Sequence, residues 1–129
     1  MNISIENNIK IIRMGDKGPN LLSVSRAKDI MAELNYDECK AVIIMGNEKV
    51  FSAGLNLKDL MNAKEASEVS LIFNTLRDLL VSFREFPGPV ISIVGGHAIA
   101  GGCLIALASD YRYGMFGMHR MGLNEMAIG

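Results

Sequence analysis

The segment 89–103, PVISIVGGHAIAGGC, constrains the fold more than any other, because a buried strand there runs out into glycines and the chain restarts as a helix. Residues 90–94 form a short apolar, β-branched run of buried-strand length. Gly95 and Gly96 break it, and Gly101 and Gly102 open a helix predicted over 102–109, GCLIALAS. A glycine at a helix start leaves backbone N–H groups uncovered where the helix dipole is positive, so an anion or a developing oxyanion has a place to sit. The plain alternative is tight packing. Gly96 and Gly101 have the spacing of a phosphate-binding P-loop, but Gly102 and Cys103 stand where its Lys and Ser/Thr belong. The dinucleotide fingerprint G-x-G-x-x-G is missing from this turn.

Upstream, residues 9–14 (IKIIRM) read as a strand that pairs with 3–5 as a hairpin across Asn7-Asn8. Ser23 or Ser25 caps a helix running to about Leu34, with Ala27, Ile30, Met31 and Leu34 on one apolar stripe. Residues 41–45 (AVIIM) form a second buried strand without polar alternation, the mark of a parallel sheet covered on both faces. In 51–60 (FSAGLNLKDL), Gly54 marks a backbone bend leading into a short helix. From Ser67, read as an N-cap, Val69, Ile72, Phe73, Leu76, Leu79, Leu80 and Phe83 recur at helical spacing until Pro87. A strand at 111–113 and a tail rich in Met and Gly close the chain. Alternating strands and helices place it in the α/β class with a mainly parallel sheet.

The chain of 129 residues is one domain, and its net charge of -1 argues against an electrostatic nucleic-acid or membrane binder. No apolar run approaches a bilayer span, and no signal peptide is visible, so the expected address is cytoplasmic. Cys39 and Cys103 make no metal spacing, and no metal is expected. The 9 Met residues read first as core filling.

Two glycine turns stand out, Ala53-Gly54-Leu55 and Ala100-Gly101-Gly102, each after a buried strand. Successive parallel strands put their carboxyl ends on one edge, so the two turns are expected side by side there. Two N–H groups aimed at one oxygen form an oxyanion hole for an enolate.

With those motifs in view, the sequence resembles the enoyl-CoA hydratase/isomerase family, the crotonase superfamily. The resemblance rests on VFSAGLNLKDL (50–60), PVISIVGGHAIAGGCLIALASDYR (89–112) and GLNEMAIG (122–129), with looser similarity over KGPNLLS (17–23). It implies a spiral of ββα units across a crotonase-like core, residues 1–129. The substrate implied is an acyl-CoA thioester, with coenzyme A part of the substrate and no separate cofactor. It further implies a homo-oligomer, trimer or hexamer, and places the oxyanion donors at the Leu55 and Gly101 amides. Lys17, Leu21, Ala53, Leu55 and Leu57 become the candidate CoA contacts. Family members run to about twice this length, so the resemblance reads the chain as a truncated N-terminal half, its C-terminal helices absent and Glu125 close to the end.

Carboxylates decide the chemistry within that family. Typical hydratases carry a Glu directly after Gly-Gly-Cys, where this sequence has Leu104; a second Glu position, in the last motif, is filled by Glu125. Hydration is easier with two carboxylates gripping water, whereas moving a double bond needs one base. The motifs GGCLIAL and GLNE resemble the single-Glu Δ3,Δ2-enoyl-CoA isomerase type, and that chemistry agrees with the resemblance. Another crotonase reaction, such as hydration or thioester hydrolysis, and an inactive acyl-CoA-binding fragment are the alternatives. Asn56 stands where many members have Asp and is expected to cap or brace the turn, and His97 to be packed and hydrogen-bonded through one nitrogen.

Overall fold

The computed structural model describes residues 1–123. The predicted general base Glu125 lies outside the described residues.

Among the described residues, eight strands and four helices follow one another as a repeating unit. β1 (Asn2–Glu6), β2 (Ile9–Arg13) and α1 (Val24–Ala32) come first; β3 (Ala41–Met45), β4 (Val50–Ser52), α2 (Leu57–Asn62) and α3 (Ala66–Glu85) follow. Then come β5 (Val90–Val94), β6 (His97–Ile99), α4 (Gly101–Ala108), β7 (Tyr111–Gly114) and β8 (Met121–Gly122). In each later unit the first strand joins one sheet and the second strand joins another. The result is a five-stranded sheet in the order β1-β2-β3-β5-β7 and a three-stranded sheet β4-β6-β8. All pairings are parallel except β1 with β2, whose hairpin turns on Asn7 and Asn8, both at positive φ as a tight two-residue turn requires.

This is the expected α/β architecture with mainly parallel sheets, but the second sheet was not foreseen. The sequence predicts no element at His97–Ile99; Gly95 and Gly96 end β5 and let the chain start β6 in the small sheet. At Gly96 a Cβ would collide with the Lys49 carbonyl, so only glycine lets the two backbones meet there.

One face of the large sheet, carrying Ile12, Val42, Ile44 and Val90, is fully buried beneath Ile30 of α1, Leu79 and Phe83 of α3 and Ile105 of α4. The opposite face, with Ile11, Ile43 and Ile91, is half-buried, so the sheet is covered less completely there than on the first face. Helix α1 is capped by Ser23, whose hydroxyl accepts the Arg26 N–H at 3.2 Å. Helix α3 corrects two further expectations. Its N-cap is Glu65, not Ser67, and the Glu68 carboxylate instead takes the Lys64 N–H at 2.6 Å. Phe73 is 52% exposed while Thr75 is buried on the stripe, its hydroxyl satisfied by the Leu71 carbonyl at 2.7 Å so that its methyl can pack inward.

Candidate active site

The two glycine turns meet because β4 and β6 are neighbours. Ser52 stands opposite Ala98 in that pair, so the segments leaving the strands, 53–55 and 100–101, emerge together. The closeness is severe. A Cβ on Gly54, whose φ is 88°, would stand 2.8 Å from the Gly101 nitrogen and 2.9 Å from the Ala100 Cβ. A Cβ on Gly101 would stand 3.5 Å from the Leu55 nitrogen. The expected neighbourhood is present, but its cause differs from the expected one: the small second sheet, and not the edge of the large sheet, brings the turns together.

Each amide is oriented by its surroundings. Leu22 donates its N–H to the Gly54 carbonyl at 2.8 Å and accepts the Asn56 N–H at 3.2 Å. In such a parallel bridge the intervening residue turns its own N–H to the other side, so the Leu55 amide faces away from Leu22. Gly101 opens α4, where a first-turn N–H has no partner within the helix. Ala100 before it holds φ 51° and ψ -122°, a region that L-residues rarely occupy and one that stores about 1–3 kcal/mol of strain.

A brace supports the first turn from below. The buried Ser52 hydroxyl donates to the Asn20 carbonyl at 2.8 Å and accepts the Gly54 N–H at 3.1 Å. The Asn20 side chain donates to the Val50 carbonyl at 3.0 Å, and the Ala53 N–H bonds Pro19 at 2.9 Å. A Cβ on Gly102 would collide with the Ser52 carbonyl, so the start of α4 is seated directly on the end of β4. Sequence reasoning missed both Ser52 and Asn20. The signal available was a serine two residues before the Gly54 bend, the spacing of a side chain that bonds its own backbone ahead.

Of the candidate CoA contacts, Lys17 and Leu21 line one open cleft of about 420 Å³, together with Ser23, Arg26 and Asn56. Arg26 is a second cation there that sequence reasoning passed over; its guanidinium donates to the Leu21 carbonyl at 3.3 Å. Ala53, Leu55 and Leu57 do not line that cleft; Leu57 is 56% exposed at the start of α2, and Leu55 packs against the core. Asn56 is the N-cap of α2, accepting the Lys58 N–H at 3.2 Å and donating to Asp59 at 2.9 Å, the capping role expected of it. His97 is hydrogen-bonded through one nitrogen, as expected: its Nδ1 accepts the Arg120 N–H at 3.0 Å. Leu104 packs against the hydrophobic core and offers no polar atom beyond its backbone. Among the described residues no three His, Cys, Asp or Glu side chains gather as a metal site, and no helix is long and apolar enough to cross a membrane.

The chain was compared with known families and structures. The family model for enoyl-CoA hydratase/isomerase matches residues 4–129. A mitochondrial enoyl-CoA hydratase domain-containing protein 3 from Rattus norvegicus is 30% identical over 104 residues, covering 78% of this chain and 35% of the relative. Among solved structures, an enoyl-CoA hydratase/isomerase family protein from Pseudomonas syringae aligns with a TM-score of 0.91 at 26% identity, covering 98% of this chain and 55% of that one. An enoyl-CoA isomerase from Mtb aligns at 0.88 and 27% identity, covering 99% and 56%. This chain thus spans about a third of that curated relative's length and about half of those solved chains.

Proposed function

The chain belongs to the enoyl-CoA hydratase/isomerase family, and on that premise we propose that it moves a carbon–carbon double bond of an enoyl-CoA thioester from the 3 to the 2 position. Relatives named for hydration and for isomerisation both match, so the choice rests on one observation, Leu104. Where the resemblance puts a water-gripping Glu, a leucine packs on the core. A single base then remains for the reaction, which suits proton transfer between two carbons better than addition of water.

In this reading the thioester oxygen lies between the Leu55 and Gly101 amides, supported by the contact of their two turns. Glu125 removes a proton from C2, the negative charge spreads from the enolate oxygen through the double bond to C4, and the same carboxylic acid returns the proton at C4. The conjugated 2-enoyl thioester leaves with no change in atoms or redox state. Donors already fixed by β4, β6 and the Ser52 brace need little reorganisation as the charge develops, the condition under which such donors act most strongly. Lys17 and Arg26, in the cleft with Leu21, are cations suited to the phosphates of CoA, and Ala53, Leu55 and Leu57 complete the proposed contacts. Coenzyme A enters with the substrate, and no further cofactor is required. The cytoplasmic address and the trimeric or hexameric assembly belong to this proposal as well.

The test is conversion of a 3-enoyl-CoA, followed by the absorbance of the conjugated product, in wild type and Glu125→Gln. Isomerisation reduced about 100-fold or more in the variant, with CoA binding by calorimetry retained, is the expected result. An equally active variant removes Glu125 from the mechanism. Incorporation of water by the wild type supports hydration instead, and binding without turnover supports the inactive acyl-CoA binder.

A further inference from the structure

We infer that His97 is a positioning residue, whose imidazole sets the register of the strand that leads to Glu125; its bearing on catalysis rests on the isomerase reading above. The two proposed halves of the active site hang on one pair of strands. β6 runs directly into Ala100 and Gly101, while β8 ends at Gly122, three residues ahead of Glu125. β8 is two residues long, paired through Ala98 opposite Met121 and Ile99 opposite Gly122. The Ala98 N–H bonds Arg120 at 2.9 Å and the Ala100 N–H bonds Gly122 at 3.0 Å.

Such a short ladder specifies its register weakly, because a slip of one residue re-forms the same kind of backbone bond. That slip would displace the chain by about 3.3 Å and turn every side chain to the other face. The His97 ring supplies what the backbone lacks. Its Nδ1 accepts the Arg120 N–H at 3.0 Å, a bond that the side chain makes in this register. The ring is itself anchored: the His97 N–H bonds the Lys49 carbonyl at 2.9 Å, and the His119 ring packs edge-on with centroids 5.7 Å apart. A backbone N–H can only donate, so Nδ1 carries the lone pair and the ring proton is on Nε2.

The consequence for chemistry is positional. A general base must come within hydrogen-bond reach of the proton it takes, and a misplacement of about 1 Å costs on the order of 100-fold. Asparagine places its Oδ1 close to where Nδ1 stands, so His97→Asn keeps the acceptor and His97→Leu removes it.

The experiment combines two readouts on the full chain. In the wild type, the nitrogen chemical shifts of the imidazole should show the proton on Nε2; a proton on Nδ1 overturns the proposal with no variant needed. Hydrogen exchange at the Arg120 amide should quicken about tenfold or more in His97→Leu and stay near the wild-type rate in His97→Asn. Equal exchange in all three proteins also overturns it. In the isomerase assay, His97→Leu should lose about 10- to 100-fold in kcat with KM changed less than about threefold, and His97→Asn should restore most of it. Loss of kcat in both variants with the Arg120 amide still protected overturns the positioning role. A wild type that turns nothing over while the Arg120 pattern holds removes the isomerase reading and leaves the register role supported.

Discussion

Gly54 and Gly101 pack so closely that a Cβ on Gly54 would sit 2.8 Å from the Gly101 nitrogen. The pair joins β4 to the head of α4, and it makes both proposed oxyanion donors depend on one residue having no side chain. Gly54→Ala meets two penalties at once: a φ of 88°, which costs an L-residue of the order of 1–2 kcal/mol, and a backbone collision that pushes the turns apart. The expected loss is about 2 kcal/mol or more in urea unfolding. Isomerisation should fall further than stability explains, and an unchanged unfolding midpoint would refute the contact.

Ala100 points the other way. Its φ of 51° and ψ of -122° suit glycine, so Ala100→Gly releases strain worth about 1–3 kcal/mol against an added unfolded-state entropy of about 0.4–1 kcal/mol. Net stabilisation of about 1 kcal/mol is expected by chemical denaturation. A destabilised variant would show that the backbone is not strained there.

The periodic parts of this chain were legible, and the parts made by backbone contact were not. Residues 41–45 and 90–94 form strands with the predicted bounds, because a β-branched run flanked by turns has few other solutions. The Asn7-Asn8 hairpin followed from the tolerance of asparagine for positive φ. β6 was hidden because HAI is too short to show a period and stands between glycines. Without β6 the small sheet could not be foreseen, so the right turns were paired for the wrong reason. Ser52, Asn20 and Arg26 were missed because each acts through partners 30 or more residues away in the chain or through its own local backbone, and neither leaves a periodic trace. Phe73 failed for a simpler reason: it neighbours the α3 stripe by one residue, which on a helix is a turn of about 100° away from the core.

A buried cation away from the site makes stability depend on pH. The Lys10 ammonium, with its side chain 1% exposed, bonds Glu33 at 3.0 Å and Glu38 at 2.8 Å, tying β2 to the end of α1. Burial alone would lower the Lys10 pKa, but the bonds to Glu38 and Glu33 outweigh it and raise it above 10.5. The same bond from Lys10 holds the Glu38 carboxyl below 4.5. A raised lysine contributes below its unfolded value and loses that contribution at high pH; a lowered carboxylate contributes above its unfolded value and loses it as acid protonates the folded form. The pair therefore supports the fold across neutral pH and fails at both extremes. Lys10→Met should flatten the fall in stability as the pH drops below the ordinary carboxylate range, read as urea midpoints against pH. An unchanged acid slope would show that the pair is not linked to folding.

Ser52 offers the sharpest separation of scaffold from chemistry. Its hydroxyl is fully buried and serves two backbone groups, giving its proton to the Asn20 carbonyl and taking the Gly54 N–H. Ser52→Ala removes both bonds where no water reaches, and each stranded group costs about 1–3 kcal/mol. The fold should survive, because the substitution leaves the buried apolar side chains of Phe51 and Ala98 in place. Among the described residues, the Gly54 amide of the turn that carries Leu55 loses its side-chain acceptor. Unfolding should become easier by about 2 kcal/mol, and exchange of the Gly54 amide should quicken by more than that global loss accounts for. Isomerisation should fall in kcat with KM nearly constant, because a loosened donor weakens the hold on the enolate more than on the ground-state carbonyl. A Gly54 amide that remains as protected as in wild type would show that the backbone bonds to Leu22 and Pro19 hold the turn and that the serine brace is dispensable.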